Sequence, residues 1–318
     1  MKLGLCAQVL SHLPFERALR SAAELGVRAI ELPVDASSPF VRLDEALEGG
    51  WRRIAAEVRA AGLTISALSN HREGQLLLGP HHADTDAIHP GQPDDKARFA
   101  ARRLELTAAL AERLEVPVVC GFTGCDDYSR WFPWPAGDGY ERMAPIFRER
   151  LLPVLDAFAR HGVTFAHECH PKQFAYNVET AAWALRLVGE HPAFGFNLDP
   201  ANLMVAGVDP VVFVVELGRR IRHVHAKDGE RVRHAVDRSG LLAHGAWDRP
   251  GRGFRFRVPG WGDLDWRRLL TELHVAGYDG VIAIEHEDPT MGRLDGVRQA
   301  VRHLEPLLLH DPIEAPWW

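Results

Sequence analysis

Four times along this chain a helical stretch runs into a glycine and straight on into an apolar segment: AELGVRAIEL at Gly26, RAAGLTISAL at Gly62, ARHGVTFAHE at Gly162 and HVAGYDGVIAIE at Gly277. Glycine just past a helix end takes the left-handed conformation that stops the helix without steric cost, so each copy marks a helix-to-strand turn. Repetition of the junction means repeated β-α units. Short apolar segments then read as strands at Leu3–Val9, Ala29–Pro33, Thr64–Ser69, Val116–Gly121, Thr164–Glu168, Gly195–Asp199, Ile221–His225 and Val281–Glu285. Stretches with apolar spacing of three and four fill the gaps as helices, at Leu43–Ala61, Asp95–Leu114, Tyr140–Arg160, Glu179–Glu190 and Trp266–Ala276. Eight strands alternating with helices predict an α/β fold, a closed (β/α)8 barrel. An open doubly wound sheet would carry a Gly-rich phosphate loop after its first strand, and no GxGxxG stands there. One domain over residues 1–318 is expected.

A barrel of this kind needs about 250 residues. The surplus among the 318 residues falls at His71–Pro93, Phe122–Gly139 and Gly229–Gly262. Each segment lies between a strand and the next helix, so extended βα loops are expected over the C-terminal face as a lid. They carry Trp131, Trp134, Trp247 and Trp261, aromatic surfaces that either close a pocket against a sugar face or pack the loops together.

Composition narrows the functions. A formal charge of −6 without a basic run argues against a nucleic-acid surface, which needs clustered Lys and Arg. No apolar run is long enough to cross a bilayer, and the N-terminal residues lack the charged-apolar-small order of a signal peptide, so a cytoplasmic protein with no membrane partner is expected. Cys6, Cys120, Cys125 and Cys169 are too few and too irregularly spaced for a disulfide framework and read as buried free thiols. Only Lys2, Lys96, Lys172 and Lys227 break the arginine bias of the basic residues, and two of them stand within four residues of a candidate ligand. The ending HDPIEAPWW places Trp317 and Trp318 together; such an apolar pair is expected to dock on the barrel or on a second copy, which leaves a homodimer open.

Four strands end in metal-ligating side chains. They are TFAHE at Glu168, FGFNLD at Asp199, IRHVH at His225 and VIAIE at Glu285. Alternate residues of a strand face the same way, so His223, His225 and Lys227 share a face, as do Asn197 and Asp199. Strands buried on both faces should be apolar throughout, and a bound ion would satisfy carboxylates otherwise costly to bury. Any one of these residues alone would more often be an ion-paired or hydrogen-bonded core group. Four compatible ligands on the rim where barrel active sites form point instead to one divalent ion and to an enzyme.

The segments HECHPKQFAYN (167–177), FNLDPANL (196–203), HVHAKD (223–228) and GWGDLDWRRLLTELHVAGYDGVIAIEHED (260–288) resemble the xylose isomerase-like TIM-barrel family, the sugar phosphate isomerases and epimerases. The resemblance runs along nearly the whole chain. It implies one divalent cation, Mn2+, Co2+ or Mg2+, on Glu168, Asp199, His225 and Glu285, with Glu168 and Glu285 as the acid/base pair. Elementary chemistry agrees: inverting a carbon next to a carbonyl requires a proton taken from one face and one returned to the other while an ion stabilises the enediolate. The implied activity is that of a sugar isomerase or epimerase acting on a small ketose or keto-sugar.

Around these residues, His170 and Lys172 after the fifth strand could hold substrate oxygens, and Lys227 could support the ligands. Arg231 falls where similar epimerases set an arginine. Asn70, His71 and Glu31 end strands and are expected at the same mouth. Cys169 has the opposite parity to Glu168 and reads as a filler. Many relatives carry a His three residues after the Asp of the sixth strand; here Asn202 can bond a hydroxyl but cannot carry a proton. That departure, with no evident phosphate cradle, favours a non-phosphorylated sugar, cyclitol or keto-glycoside. The same site would also suit a lyase or dehydratase acting on a 3-keto-glycoside or inosose, and a sugar-binding barrel without turnover is the third reading.

Overall fold

A computed structural model describes residues 1–127, 139–241 and 243–315. Eight parallel strands close into a barrel: β1 (Lys2–Cys6), β2 (Ala29–Pro33), β3 (Thr64–Asn70), β4 (Val118–Gly121), β5 (Thr164–Glu168), β6 (Phe194–Leu198), β7 (Ile221–Ala226) and, after the two hairpin strands described below, β10 (Val281–Ile284). Sequence neighbours pair around the ring, and β10 closes it by pairing with both β7 and β1. All four junction glycines have positive φ, 96° at Gly26, 73° at Gly62, 65° at Gly162 and 84° at Gly277, as a helix-stopping turn requires.

The two faces of the strands divide the core. Outward residues such as Leu5, Ile30, Leu68, Val119, Phe165, Phe196, Val224 and Ile282 join one large apolar core with the surrounding helices. The other face carries Cys6, Ala29, Val281 and Ala283 on one side of the barrel and Ala67, Val118, Cys120 and Ala166 on the other, in two separate small clusters. Small side chains at these positions leave volume for Glu31, Asn197, His223 and His225, all buried. At Gly4 a Cβ would stand 2.4 Å from Val281 Cγ1, so even a methyl group is excluded there.

Several boundaries differ from the sequence reading. The first strand ends at Cys6 because Ala7–Leu10 turns into a 3-10 helix; a short apolar run fits either state. The fourth starts at Val118 rather than Val116. Asp199 and Glu285 lie just past their strands. Asp199 is the N-cap of the short helix Pro200–Val205, its carboxylate accepting from the Asn202 amide and Pro200 taking the first helical position. The stretch 43–61 is interrupted by a π-helical turn at Ala46–Gly50, where Gly49 has φ 129°.

Of the loops, His71–Pro93 folds into short helical turns pinned by buried Lys96, whose ammonium reaches Asp86 at 2.6 Å and the His82 carbonyl at 2.9 Å. The segment after β7 forms an antiparallel hairpin, β8 (Asp228–Arg231) with β9 (Phe254–Arg257). The buried Asp228 carboxylate anchors it, accepting from the Gly229, Gly260 and Leu264 amides and from Trp266 Nε1. Gly262 is required beside it: a Cβ would fall 2.2 Å from Asp228 Oδ1. Trp247 packs on Phe256 with the Arg252 guanidinium 4.0 Å above its ring. The loop Phe122–Gly139 is described only at its ends, so Trp131 and Trp134 lie outside the described residues, as do Trp317 and Trp318. Among the described residues no helix is long and apolar enough to cross a membrane.

Candidate metal centre

At the C-terminal rim one ligand atom from each of Glu168, Asp199, His225 and Glu285 lies within 4.8 Å of the others. His225 stands between the two glutamates, its Nδ1 3.2 Å from Glu168 Oε2 and 3.0 Å from Glu285 Oε2. Its Nε2 faces Glu31 Oε2 at 2.8 Å. Asn197 Nδ2 lies 3.1 Å from Nδ1. Burial works against a charged His225, but Cys6, Glu31, Glu285 and Glu168 outweigh it and hold its pKa well above the ordinary imidazole range, so without an ion both ring nitrogens carry protons, Nε2–H facing Glu31 and Nδ1–H facing the two rim glutamates. A carboxylate behind a histidine fixes the ring for a metal on its other nitrogen.

Each carboxylate is held by side chains from neighbouring strands. Glu168 accepts from Asn197 Nδ2 at 2.8 Å and from Asn202 Nδ2 at 2.8 Å, and its Oε2 is 3.0 Å from His71 Nε2. Asp199 accepts from Asn202 Nδ2 at 2.8 Å and pairs with Lys227 Nζ at 2.7 Å. Lys227 also reaches Glu285 at 2.9 Å and Glu287 at 3.1 Å. Glu285 Oε2 is buried between Lys227 Nζ at 2.9 Å and His225 Nδ1 at 3.0 Å, ion-paired to both without a well-aligned hydrogen bond. Asn202 Oδ1 is likewise buried without a hydrogen bond.

The electrostatics suit a cation. Burial opposes ionisation of Glu168, but the facing His225 and His71 rings hold it well below the usual carboxylate range. Burial also works against Glu285, and Lys227 and His225 outweigh it and lower its pKa. Glu31, equally buried, is brought down to about 2 by His225. Asp199 behaves oppositely: burial pushes it up to about 8, with Lys227 pulling against the rise and Glu285 and Glu168 adding to it. Three carboxylates, one imidazole and an under-satisfied Glu285 oxygen fit a divalent ion of hard-to-borderline character.

Two expected outcomes follow from this geometry. Below about pH 8 an ion arriving at Asp199 must displace a proton, whereas above it the carboxylate is already free. Manganese affinity should therefore rise with pH through 8, by up to about tenfold per unit for each proton displaced, and keep rising above it because the His225 ring, raised well above its ordinary pKa, must also release a proton; isothermal titrations on either side of pH 8 check this, and a flat profile would contradict it. Glu31→Gln removes the charge that orients His225 and should weaken metal affinity by roughly 10–100-fold, measured by competition with a chromophoric chelator.

Beside the cluster lies a cavity of about 310 Å³, lined by Glu168, His225, Lys227 and Glu285 together with Gln8, Glu31, Asp35, Ser37, His71, Arg72, Phe122, His170 and Glu287. That volume accommodates a monosaccharide. His71 and His170 are both in its wall with the Phe122 ring between them, at centroid distances of 4.6 Å and 5.2 Å. Lys227 meets the ligand carboxylates, and Asn202 is fully buried behind them and turned to Glu168 and Asp199.

Other expected residues stand elsewhere. Lys172 is exposed in a left-handed turn, φ 72°, and lines no part of the cavity. Arg231 is exposed on β8, its amide bonded to Asp263, and faces a separate groove with Met204, Asp209 and Arg268. Asn70 does not reach the mouth: its amide donates to Glu73 and Thr107 on the outer side of the barrel. Trp247 and Trp261 are half-exposed and line no part of the cavity, so the expected aromatic lid is not formed by them. Phe122, Gln8, Ser37, Arg72 and Glu287 were not singled out in the sequence. Phe122 directly follows strand β4 and Glu287 stands two residues past Glu285 with the same parity, positions that could have identified them.

The sequence model of the xylose isomerase-like TIM barrel matches residues 19–307. The chain is 29% identical over 326 aligned positions to the uncharacterized protein YfiH of Bacillus subtilis (strain 168), covering 96% of this chain and 98% of that protein. In fold it is similar to the probable 3-DHS dehydratase AsbF of Bacillus anthracis, with TM-score 0.68 and 18% identity over 96% of this chain and 99% of the other. It is equally similar to the IOLI protein, whose crystal structure holds a zinc atom: TM-score 0.68, 17% identity, 97% and 98% coverage. Other relatives in sequence or fold include sugar epimerases and dehydratases.

Proposed function

Because the chain belongs to the xylose isomerase-like TIM-barrel family, we propose that it is a divalent-metal-dependent sugar isomerase or epimerase working as a single domain on a small ketose or keto-sugar. The observation that carries this reading is the convergence of Glu168, Asp199, His225 and Glu285 to within 4.8 Å at the mouth of a sugar-sized cavity. Relatives that are sugar epimerases support it.

The four residues would hold the ion, and when bound it supplies Lewis acidity toward a carbonyl and its neighbouring hydroxyl. Glu168 and Glu285 come from strands separated by β6 and β7 around the barrel, so their carboxylates reach a carbon between them from different sides. One takes the proton next to the carbonyl and the other returns a proton. Asn197, Asn202 and His71 fix Glu168 in place, whereas Glu285, 23% exposed, opens toward the cavity. His71 and His170 in the cavity wall are positioned to hold substrate oxygens.

Lys227 favours a second reading. Its ammonium lines the cavity beside Glu285 and could protonate a departing oxygen, giving a lyase or dehydratase on a 3-keto-glycoside or inosose; dehydratases among the relatives support this alternative. Incubation of the manganese-loaded protein with ketoses, 3-keto-glycosides and inososes, followed by NMR, tests both. An isomer of unchanged mass supports the first reading, loss of water or an alcohol supports the second, and no conversion across all three classes would contradict both.

A further inference from the structure

Beneath the rim cluster, inside the barrel, a second set of donors meets. One ligand atom from each of Glu31, Cys120, His223 and His225 lies within 4.8 Å of the others, and all four residues are buried. Glu31 Oε2 is 2.8 Å from His225 Nε2 and 3.5 Å from His223 Nδ1. Cys120 faces them from β4 across an interior lined on that side by Ala67, Val118 and Ala166. His223 is held loosely, by contacts of 3.2 Å to Asn197 Oδ1 and 3.3 Å to Ser66 Oγ.

A buried carboxylate behind His225 is explained by its orienting role, but a thiol and a second imidazole at the same point are not needed for that. Their donor chemistry is also unlike that of the rim. One sulfur, two nitrogens and one oxygen suit a borderline, thiophilic ion with tetrahedral preference such as zinc or cobalt, whereas the rim offers three carboxylates and one nitrogen. We propose that the barrel interior is a second metal site, formed by Glu31, Cys120, His223 and His225, which takes a thiophilic divalent cation and shares His225 with the rim site. Binding here would release the Cys120 thiol proton and the His225 Nε2 proton to solvent, while His225 Nδ1, which gives up its own proton when the rim is loaded, would remain a rim donor. Glu31 then exchanges its hydrogen bond for coordination. The site stands on its own donor geometry, whichever reaction the rim performs.

The test is titration of chelator-treated, full-length protein with cobalt(II) alone, followed by absorption spectroscopy and X-ray absorption at the cobalt edge. Two equivalents should bind. The second should bring a near-ultraviolet sulfur-to-cobalt charge-transfer band and a sulfur neighbour at about 2.3 Å, which the oxygen and nitrogen donors of the rim cannot produce. Cys120→Ala places one more small apolar side chain beside Ala67, Val118 and Ala166 and should bind one equivalent without the band. Wild-type protein that binds a single cobalt with no sulfur neighbour would overturn the proposal whatever the variant does. Persistence of the band in Cys120→Ala would overturn the assignment as well. Failure of the rim site is distinguishable, because the oxygen- and nitrogen-ligated equivalent would then be the one missing.

Discussion

Replacing Glu168 or Glu285 by Gln is expected to lower turnover by about 10²–10⁴-fold, the contribution of a positioned acid or base. The substitution keeps the shape of the side chain and removes its ability to take a proton. At Glu168 the loss has a second cause. Asn197 and Asn202 already aim amide N–H groups at the two carboxylate oxygens, with His71 at hydrogen-bonding distance. A glutamine amide nitrogen placed there would face another donor, so one contact is lost on either flip. At Glu285 both donors, Lys227 and His225, face a single oxygen, so Gln can turn its carbonyl oxygen to them and its amide away, and fits there with less disturbance. The two variants should therefore differ in stability more than in rate. Product formation at saturating manganese, where metal occupancy is restored, checks the rate; turnover near the wild-type value in either variant would remove that glutamate from the proton path.

Removal of the ion is the second large effect. Chelation should abolish turnover and lower the melting temperature, because the ion balances clustered carboxylates whose positive partners among the described residues are Lys227 and the His225 and His71 rings. A cation that binds only the folded chain stabilises it by about 2.7 kcal/mol at a free concentration a hundredfold above its dissociation constant. The melting temperature should climb with added manganese and fall back on chelation. A transition indifferent to both would mean that the rim residues do not bind a cation in solution.

The barrel and the rim were legible in the chain for the same reason: both rest on local pattern. Glycine after a helix fixes where each β-α unit begins, and the last residue of a buried strand reaches the rim whatever surrounds it. Asn70 shows where that logic stops. It also ends a strand, but its parity turns it outward, toward Thr107 on the helix Pro93–Arg113. Asp199 reads as strand because it continues the parity of Asn197 at the end of the largely apolar FGFNLD; the following Pro200 makes it a helix cap instead. Lys172 is expected at the site because it follows the fifth strand close to Glu168, and Arg231 because similar epimerases set an arginine at its place. A left-handed turn carries the first away from the cavity and an antiparallel hairpin carries the second. Of that hairpin, FRFR alternates at every position, but DGER carries no such pattern to pair it with. Glu31 reads as one more strand-end residue, and only the closed ring brings it within 2.8 Å of His225, since that contact spans β2 and β7.

The account rests on a proton leaving carbon at a metal-loaded rim. Incubation in deuterated water with manganese and a ketose, 3-keto-glycoside or inosose substrate, read by NMR at the carbon next to the carbonyl, tests this most directly. The predicted result is deuterium appearing at that carbon with wild-type protein, abolished by chelator and restored by manganese. Turnover of the same substrate with no deuterium at that carbon, or incorporation unaffected by chelation, would contradict it.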